Sequence, residues 1–167
     1  MWNLDLQAAE AGQAIVGATK TENIKQVNEL QAQLSKSLGV LQKSGVYALL
    51  MYLLAKRKKD GDKSGDPFHV ILNQLLEAVI KNKVGLGLED NEVLPRSDNR
   101  GYHSNEVLEW AQKMILSDLY RLLLLRDFFQ RALTYARYAA EALEVELKDQ
   151  NNEVKSGTPA PESGGSP

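Results

Sequence analysis

Residues 45–56 read GVYALLMYLLAK, an almost entirely apolar run that begins at a glycine and leads into the basic run Lys56–Lys59. A membrane-spanning helix needs about 20 apolar residues, so this shorter run predicts the central helix of a soluble domain and no membrane partner. A helix that is apolar on every side must be covered on every side. We therefore expect other helices to surround it and its basic end to emerge at the surface.

Amphipathic segments flank this run on both sides. Their apolar residues recur every three or four positions, which is the spacing of one helical face. The predicted helices are Leu4 to Ala18, a helix from an N-cap at Thr21 to a break near Gly45, Pro67 to about Asn82, one capped by Ser104, and one from Asp118 to about Asp149. The small residues of the first helix predict close packing against a neighbour, and residues 83–103 are predicted to be an irregular loop.

The chain length and these segments predict one domain with an all-α fold, a compact bundle of five or six helices spanning residues 1–149. Residues 150–167 are acidic and rich in proline, glycine and serine, so we predict a disordered C-terminal tail. The last predicted helix carries an apolar face that we expect in the core, and it includes Leu119, Leu122, Leu123, Phe129 and Leu133.

The composition argues against an enzyme and against any cofactor or metal. There is no cysteine, and the two histidines, His69 and His103, are not spaced as metal ligands. We predict that His69 is a partly buried helix residue and that His103 lies in a loop. No phosphate-binding loop and no paired nucleophile and base are present. The first 20 residues lack a signal pattern, so the expected compartment is the cytoplasm.

The sharpest charge feature is the run Lys56-Arg57-Lys58-Lys59 together with Lys63. The net charge of −2 is near neutral, so binding to nucleic acid has to rest on a local patch of this kind. Two interpretations are open: a solvated helix end that keeps an apolar helix soluble, or a set of phosphate contacts.

Weaker candidates for phosphate contact are Lys43, Arg121 and Arg131. Arginines of the last helix are also expected to form ordinary salt bridges, for instance with Asp127. The aromatic side chains near them are expected to lie mostly in the core rather than to stack on bases. They are Tyr120, Phe128, Phe129, Tyr135 and Tyr138.

Two motifs resemble a known family. In the first, Gly45-Val46 is followed by an apolar run through Tyr52 to Lys56. In the second, Tyr120-Arg121 is followed by Ala132-Leu133, Tyr135 and Tyr138. Over about residues 6–143 the chain is similar to the small α-helical subunit of type III-B CRISPR (Cmr) effector complexes. It departs from that family late in the last helix, where Ala140-Glu141 replaces a basic pair. Lys56–Lys59 are therefore favoured over the end of the last helix as the basic residues that contact RNA.

The resemblance implies a non-catalytic subunit of a ribonucleoprotein complex in antiviral defence. Copies of such subunits stack along the complex and line the channel in which guide RNA pairs with target RNA. The implied partners are other subunits of the complex, further copies of this chain, and guide and target RNA. The alternatives are a helical protein–protein adaptor without a nucleic-acid role and a small enzyme whose site forms only in an oligomer.

Overall fold

The computed structural model describes residues 1–59, 63, 65–88, 95–98 and 101–157, with the side chains of residues 114 and 115 excepted. Its elements are α1 (Leu4–Ala18), α2 (Ile24–Lys56), α3 (Pro67–Lys81), β1 (Ser97–Asp98), β2 (Gly101–Tyr102), α4 (Ser104–Trp110), a π-helical turn (Ala111–Ile115) and α5 (Leu119–Ser156). The predicted all-α fold is confirmed. The expected loop between α3 and α4 contains one antiparallel pair of two-residue strands.

Short polar side chains begin most of the helices by accepting hydrogen bonds from free backbone N–H groups. Asn3, Asn23, Asp66 and Asp118 do so for α1, α2, α3 and α5. The predicted starts of α3 at Pro67 and of α5 at Asp118 are confirmed, the latter residue being the cap of α5. The predicted cap at Thr21 is wrong because Asn23 performs that function. The predicted cap at Ser104 is also wrong, since Ser104 is the first residue of α4 and His103 precedes it without a side-chain cap.

Gly45 interrupts α2 where the sequence predicts a break. Its backbone has φ 87° and ψ −174°, a conformation that only glycine adopts without strain, and helical geometry resumes after it. The interruption re-aims the second half of α2 relative to the first. Residues 24–56 therefore form two helical segments joined at a kink, and both are referred to as α2.

The four long helices form a ring in which each packs against two others. α5 contacts α1 and α2, and these two helices in turn contact α3. The close approach of α1 and α5 depends on Gly12, because a Cβ atom there would lie 2.8 Å from the carbonyl oxygen of Ala132. The fully buried centre of the bundle is filled by large side chains from all four helices, among them Ile15, Leu34, Leu50, Leu72 and Phe128.

The prediction that residues 45–56 are covered on every side is wrong. Leu49, Leu50 and Leu53 are buried, whereas Met51 is 48% exposed and Ala55 is also exposed. Each helix of a four-helix ring keeps an outward face, so an apolar sequence alone does not place a helix at the centre.

α5 continues beyond its predicted end near Asp149. It extends to Ser156, so residues 150–156 are helical and do not belong to a disordered tail. The physical reason is that extending an existing helix by one residue costs much less free energy than starting a new helix. None of these seven residues is glycine or proline, which would oppose the extension. The disorder predicted for residues 158–167, like the loop predicted over residues 60–62 and 64, lies outside the described residues.

One helix, α2, is long and apolar enough to cross a membrane by length and composition. This length includes the kink at Gly45, and the apolar run of residues 45–56 is by itself shorter than a membrane span. Ten residues of α2 are buried in the bundle, among them Leu30, Leu34 and Leu41. A buried core helix satisfies the same test of length and composition.

Candidate nucleic-acid interface

Asp66 holds the end of α2 against the start of α3. One of its carboxylate oxygens accepts a hydrogen bond from the backbone N–H of Lys58 at 2.6 Å, and the other accepts one from the N–H of Phe68 at 3.3 Å. The side chain of Asp66 is buried, and a buried carboxylate that accepts backbone hydrogen bonds is held firmly in place. The basic run at the end of α2 thus leaves the bundle in a fixed direction.

Arg57 turns back onto the protein instead of pointing into solvent. It is the C-cap residue of α2, and its Nη2 donates a hydrogen bond to the Ser104 hydroxyl at 3.2 Å. Burial lowers the pKa of the Arg57 guanidinium, and the nearby charge of Asp66 opposes this effect. The guanidinium stays charged at physiological pH. Arg57 therefore connects α2 to α4 across 47 positions of sequence.

The three lysines beside Arg57 are placed differently. Lys56, Lys58 and Lys59 are all exposed, and so is Lys43 near the kink of α2. Within the described part of the chain no carboxylate forms an ion pair with any of these four ammonium groups. Lys63 is half-buried and already engaged in a contact. The structure thus leaves a compact group of three exposed lysines, Lys56, Lys58 and Lys59, which we call the lysine cluster.

The arginines of α5 are engaged within the protein. Arg131 bridges Asp5 at 3.0 Å and Asp127 at 3.1 Å, so it connects α5 to the start of α1. Arg121 lies 3.4 Å from Asp118, with its side chain only 20% exposed. The predicted salt bridge to Asp127 is confirmed. An RNA phosphate would have to compete with these carboxylates at Arg121 and Arg131.

The carboxylate of Asp5, which binds Arg131, accepts two side-chain hydrogen bonds. The hydroxyl of Tyr135 donates a hydrogen bond to Asp5 at 2.6 Å, and Arg131 donates another. These two donors lower the pKa of the Asp5 carboxyl, the tyrosine having the larger effect. Asp5 therefore stays ionised and keeps Arg131 directed toward α1.

His69 lies buried in the first turn of α3, beside Arg57 and Asp66, as the sequence predicts for a helix residue. Its Nε2 is 2.9 Å from the side-chain nitrogen of Asn73. Burial lowers the pKa of His69, the charges of Lys63 and Arg57 lower it further, and Asp66 opposes them. A Cβ on Gly101 would lie 2.7 Å from the imidazole, so the hairpin strand β2 closes over this side chain.

Two predicted core assignments on α5 are wrong. Leu119 is 69% exposed and Leu123 is 53% exposed, although Phe129 and Leu133 of the same predicted face are fully buried. Of the aromatic side chains, Phe128 and Phe129 are in the core as predicted, whereas Tyr120 and Tyr138 are exposed. Helical geometry already carries this signal, since Leu123 precedes Phe129 by six residues and thus lies about 120° away around the helix.

Two residues that the sequence did not single out position the lysine cluster. Asp66 caps α3 and also binds the backbone N–H of Lys58. Ser104 was interpreted as a cap and instead holds Arg57. No signal in the sequence pairs residues this far apart.

The described residues hold no group of three or more histidine or carboxylate side chains placed to bind a metal ion. Comparison of the chain with protein-family models, with curated proteins and with solved structures gives no match in any of the three. The resemblance to the small Cmr subunits therefore rests on the two sequence motifs alone.

Proposed function

We propose that this protein is a non-catalytic, RNA-binding scaffold subunit of a cytoplasmic type III-B CRISPR effector complex, in which it contacts the backbone of the guide–target RNA. The observation that carries the RNA-binding part of the proposal is the lysine cluster: three exposed lysines at and just beyond the end of α2, with the backbone of Lys58 bound by Asp66. Such a group binds phosphates without reading bases, because ammonium groups attract any backbone of phosphates and release its counterions.

The division of labour among the basic residues supports this function. Arg57 is occupied by Ser104, and its role is to position its neighbours rather than to reach RNA. Lys43 is a further exposed cation on the same helix. Lys63, Arg121 and Arg131 have contacts within the protein and are secondary candidates.

The first test is RNA binding by the full chain as a function of salt. Nonspecific binding is expected with a dissociation constant of about 0.1 mM to 1 µM. Substitution of all three residues of the lysine cluster by glutamate should weaken binding and reduce the slope of log affinity against log salt by roughly two to three. Fluorescence anisotropy with a labelled RNA duplex measures both quantities.

The matched control is a triple substitution of Lys25, Lys36 and Lys155 by glutamate. These lysines are also exposed, and their replacement changes the net charge by the same amount. The control should bind more tightly than the cluster variant at every salt concentration. Equal affinities of the two variants would show that net charge, and not the cluster, governs binding.

The second test asks for the complex itself. The tagged chain, purified from its own cells, should elute in a large particle that contains short repeat-derived RNAs. The second candidate function, a protein–protein adaptor, is favoured by the exposed apolar residues of α5. An adaptor would elute as a small species free of nucleic acid, with one protein partner, and that result would overturn the RNA proposal.

A further inference from the structure

The outward face of α5 carries an unusual share of the exposed apolar surface. Twelve large hydrophobic side chains are exposed in the described part of the chain, and six of them belong to α5. Tyr120 is 70% exposed and Tyr138 is 59% exposed. Exposed tyrosines combine a large apolar ring with a polar hydroxyl, which is why tyrosine is enriched at protein interfaces.

Two of these side chains, Tyr120 and Tyr138, lie on one line along the helix, whereas Leu119 and Val154 lie on other faces. Tyr120 and Tyr138 are 18 residues apart, which is about five turns, so they point the same way and are about 27 Å apart. Asp127 and Arg131 lie between them within about 20° of the same line. The outward face of α5 is therefore apolar at each end and carries one acid and one base near its middle. We call the line of Tyr120, Asp127, Arg131 and Tyr138 the α5 stripe.

Two antiparallel copies of the α5 stripe would present complementary side chains to each other, with tyrosine facing tyrosine and aspartate facing arginine. Tyr120 precedes Phe129 by nine positions and Tyr138 follows it by nine, while Asp127 precedes it by two and Arg131 follows it by two. A two-fold axis at the level of Phe129 would place each tyrosine opposite the other tyrosine of a second, antiparallel α5. The same axis places Asp127 of one copy opposite Arg131 of the other.

The surface of α5 has a recess where such a contact needs one. An open groove of about 380 Å³ is lined by Asp127, Gln130, Arg131, Thr134, Tyr135 and Tyr138. In the antiparallel arrangement, Tyr120 of the second copy lies over the Tyr138 end of this groove. Large side chains that enter recesses of a facing helix are the general basis of helix–helix packing.

We propose that the α5 stripe binds the α5 stripe of a second copy of this chain, antiparallel and centred on Phe129. Charge complementarity is what selects a second copy, because Asp127 of each chain then faces Arg131 of the other, while Asp5 continues to bind Arg131 within its own chain. Asp127 and Arg131 already pair within one chain at 3.1 Å, and the dimer would join two such pairs into one network. Residues that face one another in this way make an isologous two-fold interface.

The contact covers only about five helical turns, which places it at the low end of specific interface sizes. We therefore expect a reversible dimer that depends on protein concentration. The lysine cluster belongs to α2 and takes no part in the contact, so Arg131, a secondary candidate for phosphate contact, is the one residue that the two proposals share.

The decisive experiment uses two charge-reversal variants, Asp127→Arg and Arg131→Asp, measured by sedimentation velocity over a range of concentrations. Each variant alone brings like charges face to face, so its self-association should weaken at least about tenfold relative to the unaltered chain. An equimolar mixture of the two places arginine opposite aspartate at every contact. The mixture should therefore associate again, as a heterodimer.

A cross-linking experiment tests the register independently. The chain has no cysteine, so a disulfide can form only between introduced residues. Mixed Tyr120→Cys and Tyr138→Cys chains should form a disulfide-linked heterodimer on mild oxidation. Neither variant alone should, because its two cysteines would be about 27 Å apart in the antiparallel pair.

These substitutions lie on the surface, so circular dichroism should show unchanged helix content and confirm that each variant is folded. Association that is restored in the mixture, together with the selective cross-link, supports the proposal. A chain that is monomeric at all concentrations would overturn it and leave the α5 stripe to a different protein. Single variants that associate as well as the unaltered chain, or a mixture that stays monomeric, would overturn it too.

Discussion

At the scale of single residues, the surroundings of His69 determine the pKa of its imidazole. The imidazole is buried between the end of α2 and the hairpin, near Arg57 and Lys63. Burial and these two cations all disfavour the protonated form, so the pKa of His69 in the folded chain lies below its ordinary value of 6.5. The folded protein therefore requires a neutral imidazole at this site.

This requirement predicts a loss of stability in mild acid. Above pH 6.5 the imidazole is neutral in both states and has no effect. As the pH falls from 6.5 through the lower pKa of the folded state, the unfolded chain binds the proton more readily, so the free energy of unfolding decreases. Urea unfolding at a series of pH values between 7.5 and 5 measures this decrease.

Two variants isolate the contribution of His69. His69→Asn should show a shallower dependence of the unfolding free energy on pH over the same interval, whatever its stability at neutral pH. His103→Asn leaves His69 as the single histidine, so an NMR titration of that variant reports its pKa directly. A titration midpoint at or above 6.5 would contradict the structure.

At the scale of elements, the kink of α2 decides where the basic end of the helix points. Gly45 has a backbone conformation closed to other residues, and a Cβ atom there meets no neighbour within 4 Å. The conformation alone therefore resists substitution. Gly45→Ala should lower the free energy of unfolding by about 1–3 kcal/mol, as measured by urea denaturation.

Gly39 provides the matched control, six residues earlier in the same helix. Its backbone is helical, and its Cβ position is also free of neighbours. Gly39→Ala should raise the free energy of unfolding by about 0.5–1 kcal/mol, because alanine is the better helix former. The two substitutions add the same methyl group and should have opposite signs; a shared sign would refute the assignment of strain to Gly45.

How much of each element could be predicted from sequence follows from the same comparison. The bounds of α1, the break at Gly45 and the start of α3 were predicted because caps, glycines and helical spacing are local signals. The exposure of Met51 was not predicted, because it depends on which helices pack together, whereas that of Leu123 follows from its angle to Phe129 around the helix. At the candidate site, the run of cations was visible, whereas the hydrogen bond from Arg57 to Ser104 exists only after folding.

At the scale of the whole molecule, the bundle is shorter than its longest helix. The last fully buried residue of α5 is Ala140, and Leu143 and Leu147 pack partly against the core. From Lys148 to Ser156 every side chain is exposed. The end of α5 therefore projects beyond the bundle, and its backbone hydrogen bonds rather than tertiary contacts hold it in a helix.

This projection predicts that the chain tolerates truncation up to a definite point. Among the described residues, a chain that ends at Asp149 loses only the exposed side chains of 150–157, so its free energy of unfolding should change by less than about 0.5 kcal/mol. A chain that ends at Ala142 also loses Leu143, Leu147 and Glu144, whose carboxylate accepts a hydrogen bond from Gln31 at 2.9 Å. Removing these contacts should lower the free energy of unfolding by about 1–3 kcal/mol. Urea denaturation of both truncated chains beside the full chain provides the measurement, and a large loss from the first truncation would mean that residues 150–167 pack against the bundle.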